Sequence, residues 1–105
     1  MATIALTLEE IEELSREVLH FNGCDDLNTD ALVRTIVTAE RDGSASHGLF
    51  RLPGYVASLR SGKVNGKARP SVDNKLKAVV KVHGDNGYAP IAIETGVPIL
   101  AAAAK

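Results

Sequence analysis

Disulfides are excluded first: the 105-residue chain holds one cysteine, Cys24. A lone thiol closes no internal bridge, so a reducing cytoplasm is the expected setting. Tryptophan is absent, and Phe21, Phe50, Tyr55 and Tyr88 are the whole aromatic inventory. Any core must therefore be mainly aliphatic. Charge of one sign is also lacking. Twelve Lys and Arg against thirteen Asp and Glu leave a formal charge of −1, without the positive footprint of a dedicated nucleic-acid binder. No apolar run is long enough to span a bilayer, and no basic segment followed by an apolar stretch marks a signal peptide near Met1. The three histidines and Cys24 show no metal-ligand spacing. The expected class is a soluble intracellular protein with no metal, no membrane association and no nucleic-acid partner.

What is present reads as helices. Thr7-Leu8-Glu9-Glu10 has the form of a capping box, in which the Thr7 hydroxyl and the Glu10 carboxylate each accept a backbone N–H of the other's residue. Leu8, Ile11, Leu14, Val18 and Leu19 follow at helical spacing, and Asn22-Gly23 stops the helix near Phe21. The acidic run from Glu9 to Glu13 is a solvated face. Asp25, Asp26 and Asn28 offer caps for a second helix with apolar residues Leu32, Val33, Ile36, Val37 and Ala39, ending near Asp42-Gly43. Leu49 to Leu59 has helical composition, and Pro53-Gly54 starts, kinks or divides it.

Beyond Ser61-Gly62 the pattern changes. Residues 61–77 are polar and read as an exposed loop. Ala78 to Val82 is a short strand, His83-Gly84-Asp85-Asn86-Gly87 a turn, and Tyr88 onward a small apolar segment interrupted by Pro90, Gly96 and Pro98. The predicted fold class is mainly α with a short β segment (α+β). Residues 1–77 form a helical region, and residues 78–105 a strand, a turn and a helix. On this reading the strand has no partner, a sign that structure is missing, since unpaired backbone groups are costly when buried.

The residues that carry chemistry are concentrated in Arg41-Asp42-Gly43-Ser44-Ala45-Ser46-His47-Gly48-Leu49-Phe50-Arg51-Leu52-Pro53-Gly54-Tyr55. His47 and Arg51 are four apart and would share one face of a helix. An arginine forks onto a carboxylate. An imidazole titrates near neutral pH and can give a proton to an oxygen or nitrogen formed on reduction. Ser46 could orient or relay, and Gly48 admits a ligand close to the backbone. On residue types alone, capping of a helix start remains the commoner role of a Ser-His-Gly tripeptide. His20, near the end of the first helix, suits the helix dipole, and His83 falls in a solvated turn. No spaced acid completes a serine-hydrolase arrangement. The glycines of His83 to Gly87 do not have the dinucleotide-binding spacing.

The stretch Ala39 to Tyr55 resembles the signature of the malate/L-lactate dehydrogenase family, nicotinamide-dependent oxidoreductases without the Rossmann fold. Its form is closest to the branch of Δ1-piperideine-2-carboxylate/Δ1-pyrroline-2-carboxylate reductases, and Val82 to Tyr88 resembles the family's next block. The resemblance runs from Leu8 to the end. It implies that Ser46 and His47 act as relay and proton donor, and that Arg51 binds the substrate carboxylate. It further implies reduction of a C=N or C=O next to a carboxylate with NADPH or NADH, and a homodimeric enzyme. Ala45 stands where close relatives often carry histidine or aspartate, and Ser44 where many of the family's dehydrogenases carry another histidine, which favours the imine-reductase branch or an uncharacterised one. Family enzymes are several times longer, so the resemblance implies the N-terminal portion of the fold. Residues 78–105 then begin the nicotinamide-binding domain, whose cofactor-contacting blocks lie beyond Lys105, and this chain alone is expected to be inactive. Two alternatives stay open: a malate/L-lactate (2-hydroxyacid) dehydrogenase, and a non-enzymatic helical dimerisation module.

Overall fold

The computed structural model describes residues 6–76 and 79–103. The first helix, α1 (Leu8–Phe21), begins with the capping box read from sequence: Thr7 N–H donates to Glu10 Oε1 at 3.0 Å, and Glu10 N–H donates to Thr7 Oγ1 at 3.1 Å. Gly23, at φ 94°, turns the chain out of the helix. The second helix, α2 (Asp26–Arg41), is capped by Asp25 and supplies Leu32, Val33 and Ile36 to the core. Ile11 and Leu19 of α1, Cys24, Leu52 and Tyr88 complete that core, which is aliphatic apart from one ring and one thiol. His20 Nε2 lies 2.9 Å from Asp26 Oδ1, a bond between the end of α1 and the start of α2.

Two single turns of 3₁₀ helix, Ala45–His47 and Leu49–Arg51, lead into α3 (Leu52–Arg60), where Pro53 occupies the first turn, a position that needs no N–H donor. The proline thus starts this helix rather than kinking it. Two strands follow, β1 (Ser71–Leu76) and β2 (Val79–His83), and then α4 (Ala89–Ala103). α4 packs on β2 and against α2. Gly96 is required there by space, since a Cβ would stand 2.5 Å from Val82 Cγ2.

The strand expected after residue 77 is present as β2, but the reading of residues 61–77 as an exposed loop and of that strand as unpartnered needs correction. β1 pairs antiparallel with β2, with Ser71 opposite His83, Val72 opposite Val82 and Asp73 opposite Lys81. The strand is therefore not alone, and the inference of missing structure drawn from it falls. β1 escaped notice because its residues, Ser-Val-Asp-Asn-Lys-Leu, lack apolar alternation. Backbone pairing holds it instead, with opposite charges facing each other across the strands. The expected division between residues 77 and 78 lies outside the described residues, between these paired strands.

The preceding segment is no free loop either. Asp25 N–H donates to Gly66 O at 2.9 Å, and Asn28 Nδ2 donates to the carbonyl of the fully buried Ala68 at 3.0 Å. Asn65 N–H donates to Asn86 O at 2.8 Å. Polar composition here reflects internal hydrogen bonding. Among the described residues, no helix is long and apolar enough to cross a membrane.

Candidate functional site

The segment carrying Ser46, His47 and Arg51 is shaped by two glycines. Gly43, at φ 79°, ends α2, and Ser44 N–H donates back to Ala39 O at 2.8 Å. His47 N–H donates to Ser44 O at 2.9 Å, closing the first 3₁₀ turn. At Gly48 the backbone swings to φ −94°, ψ −134°, and a second turn opens, with Arg51 N–H donating to Gly48 O at 3.0 Å. His47 and Arg51 consequently do not share a helical face. The four-residue spacing holds, but the break at Gly48 separates them into two turns.

Another contact brings the arginine back. Arg51 Nε donates to the Ser46 carbonyl at 3.0 Å, so the guanidinium is tied to the backbone of the residue before His47. Ser46, His47 and Arg51 are all exposed. His47 borders an open groove of about 570 Å³ together with Arg34, Thr38 and Asp42 of α2 and its end, Ser44, and Glu94 of α4. Arg51 does not line it.

The groove's strongest feature is a forked ion pair. Arg34 Nε and Nη2 donate to Glu94 Oε1 and Oε2 at 2.8 and 2.5 Å. Hydrogen bonding to Arg34 holds the Glu94 carboxyl below the ordinary glutamate range against a smaller opposing effect of burial. The pair links α4 to α2 across the groove that His47 borders.

Sequence reasoning gave no role to Glu40, which lies within the stretch Ala39 to Tyr55. The Glu40 carboxylate accepts the Leu49 backbone N–H at 2.8 Å, directly after Gly48. That link spans nine residues, from the last turn of α2 past the first 3₁₀ turn to the start of the second, a relation no periodicity reveals.

The turn from Gly84 to Gly87 follows a strand and precedes a helix, as a phosphate-binding loop would, but it is packed onto the segment before β1. Asp85 Oδ2 accepts the Arg69 N–H at 3.0 Å and Asn65 Nδ2 at 3.2 Å. The space above Gly87 is filled by Ala68, whose side chain would lie 2.4 Å from an added Cβ. Arg34, the cation beside His47, is held by Glu94. Nor do the described residues include a group of three or more His, Cys, Asp or Glu able to hold a metal ion. The segment can offer an exposed imidazole, an adjacent hydroxyl and a guanidinium, which is equipment for binding an anion and moving a proton.

Residues 6–105 match the family described as malate/L-lactate dehydrogenase. The chain is 46% identical over 102 residues to a Δ1-pyrroline-2-carboxylate reductase of Ancylobacter novellus, covering 97% of this chain and 30% of that protein. The crystal structure of Δ1-piperideine-2-carboxylate reductase from Pseudomonas syringae superposes with a TM-score of 0.89 at 37% identity, covering 97% of this chain and 31% of that one. The malate dehydrogenase of Pyrococcus horikoshii superposes with a TM-score of 0.77 at 25% identity, covering 85% of this chain and 26% of that one. The chain thus spans about 30% of the length of the curated relatives it matches.

Proposed function

The chain belongs to the malate/L-lactate dehydrogenase family, and from that premise we propose that it supplies the substrate-side residues of an oxidoreductase that reduces a C=N bond next to a carboxylate. The substrate of this reading is Δ1-pyrroline-2-carboxylate or Δ1-piperideine-2-carboxylate. What carries it is the 46% identity, over 97% of the chain, to a relative named for the first of these compounds. A 2-hydroxyacid dehydrogenase is the second reading, supported by the malate dehydrogenase likeness at the lower identity of 25%.

In this proposal Arg51 grips the substrate carboxylate with its Nη groups while Nε stays on the Ser46 carbonyl, a two-point anchor suited to a planar anion. His47 delivers a proton to the ring nitrogen. The Ser46 hydroxyl orients the proton path. Bound NADPH or NADH would supply hydride to the ring carbon. Binding and protonation are the only steps assigned to this chain. The assembled enzyme, on the same reading, is a cytoplasmic homodimer.

The test is binding of pyrrole-2-carboxylate, a planar unreactive carboxylate of the same ring size, followed by NMR on the chain. Saturable shifts at the His47 ring and the Arg51 Nε are expected. Arg51→Ala should weaken binding at least about tenfold, the loss of a charged hydrogen-bond pair. Equal affinity in Arg51→Ala, or shifts confined to other residues, would overturn the assignment.

A further inference from the structure

The Glu40 carboxylate and the bare backbone of Gly48 occupy each other's space. Glu40 sits half-buried in the last turn of α2, and its Oε1 accepts the Leu49 N–H at 2.8 Å. Gly48 begins the turn Leu49–Arg51 without a side-chain cap of its own. The first N–H groups of any helical turn lack partners within it, and Glu40 supplies one from outside. A Cβ on Gly48 would stand 2.3 Å from Glu40 Oε1, 2.7 Å from Cδ and 2.8 Å from Cγ. The glycine is therefore not demanded by a left-handed backbone, since φ is −94°. A side chain there would instead have to displace the Glu40 carboxylate from the Leu49 N–H.

We propose that Glu40 is the positioning residue for His47. Its carboxylate clamps the backbone immediately after Gly48, and Gly48 is glycine so that this clamp can close. The clamp holds the boundary between the two 3₁₀ turns, with His47 ending one and Arg51 ending the other. A proton donor has to be held within about half an ångström of its working position, by contacts behind it rather than by its own exposed ring. Glu40 is such a contact, built on the rigid end of α2. The role toward chemistry rests on the reading of His47 as proton donor; the clamp itself rests on geometry alone.

Amide hydrogen exchange at Leu49 and the NMR signals of the His47 ring, recorded on the chain, test this directly. Ile36, fully buried in the core, serves as the internal control. Glu40→Ala should speed Leu49 exchange at least about tenfold relative to Ile36 and shift the His47 ring signals, because a hydrogen bond to a charged group is lost. Glu40→Gln keeps an acceptor oxygen at the same reach and should restore both. Gly48→Ala should reproduce Glu40→Ala by pushing the carboxylate aside, and the double variant should be no worse than either single one. If Glu40→Ala loosens Ile36 equally, Glu40→Gln decides: recovered Leu49 protection supports the clamp, and continued loss overturns it. Unchanged Leu49 protection in Glu40→Ala, or additive effects in the double variant, also overturns it. Pyrrole-2-carboxylate binding through Arg51 is a separate measurement, so failure of the clamp and failure of the proposed function remain distinguishable.

Discussion

Replacing Asp25 by alanine removes three hydrogen bonds from the junction where α2 begins. The carboxylate accepts the Asn28 N–H at 3.1 Å, Asn28 Nδ2 at 2.9 Å and Arg69 Nη2 at 2.7 Å. Loss of an N-cap costs about 1 kcal/mol. The Arg69 pair adds about 0.5 kcal/mol, discounted for solvent screening because the arginine side chain is 55% exposed although the aspartate is only 22% exposed. Asn28 Nδ2 keeps its bond to Ala68 O, so the third loss adds about 0.5–1 kcal/mol rather than a full desolvation penalty. The sum is about 2–2.5 kcal/mol, equivalent to a fall in Tm on the order of 10 °C for a chain of this size. Urea unfolding followed by circular dichroism at neutral pH measures it. The charge can be isolated with Asp25→Asn, which keeps the capping oxygen. Burial pushes the Asp25 carboxyl up, but the Asn28 and Arg69 bonds together outweigh it and hold the group below the ordinary aspartate range. A depressed folded value means the stabilisation is fully present above the unfolded value of about 3.9 and is lost as pH falls through the folded one. The wild-type advantage over Asp25→Asn should therefore be constant near neutrality and vanish in acid. A cost below about 0.5 kcal/mol for the alanine variant, or a gap that persists unchanged into acid, would refute the reasoning.

Two further substitutions probe the packing around Tyr88. Its hydroxyl donates to the Tyr55 carbonyl at 2.6 Å, and the two rings meet edge to face at 5.2 Å. Tyr88→Phe keeps the ring contact and should cost about 1 kcal/mol in urea unfolding. Alkaline difference spectroscopy should find the Tyr88 phenol ionising later than a free tyrosine, chiefly because burial disfavours the phenolate. A normal titration would show that the hydroxyl is solvated. Gly87→Ala drives a methyl to within 2.4 Å of the Ala68 side chain, which is fully buried and has no rotamer with which to yield. It should cost about 1–3 kcal/mol and loosen amide protection at Asn65. A neutral result would mean that the turn is not packed on the 61–70 segment.

The elements legible in the sequence are those whose causes are local. Thr7 and Glu10 are three residues apart, as are Asp25 and Asn28, so both helix starts could be read from adjacent letters. The exits at Gly23 and Gly43 were legible because positive φ selects glycine. What escaped notice depends on distance along the chain. Asn28 finds Ala68 forty residues away, and a segment read as an exposed loop becomes a strap. β1 has the composition of a loop and becomes a strand only through β2. In the candidate site the spacing of the motif misjudged the geometry of its residues. Four-residue spacing implies a shared face only where the backbone is helical throughout, and Gly48 interrupts it between His47 and Arg51. The bond that ties Arg51 to the Ser46 carbonyl and the Glu40 clamp both depend on that interruption.

The most direct measurement transplants the chain into a complete relative. In a chimera, this chain replaces the matching 31% of the Pseudomonas syringae Δ1-piperideine-2-carboxylate reductase, onto which it superposes with a TM-score of 0.89. NADPH oxidation is then followed with the cyclic imine carboxylates and, for comparison, with pyruvate and oxaloacetate. The expected result is turnover of the cyclic imines that falls at least about a hundredfold in His47→Ala, the scale of a lost proton donor. A folded chimera that reduces no cyclic imine, or whose turnover survives His47→Ala, would contradict the assignment of the substrate side to this chain.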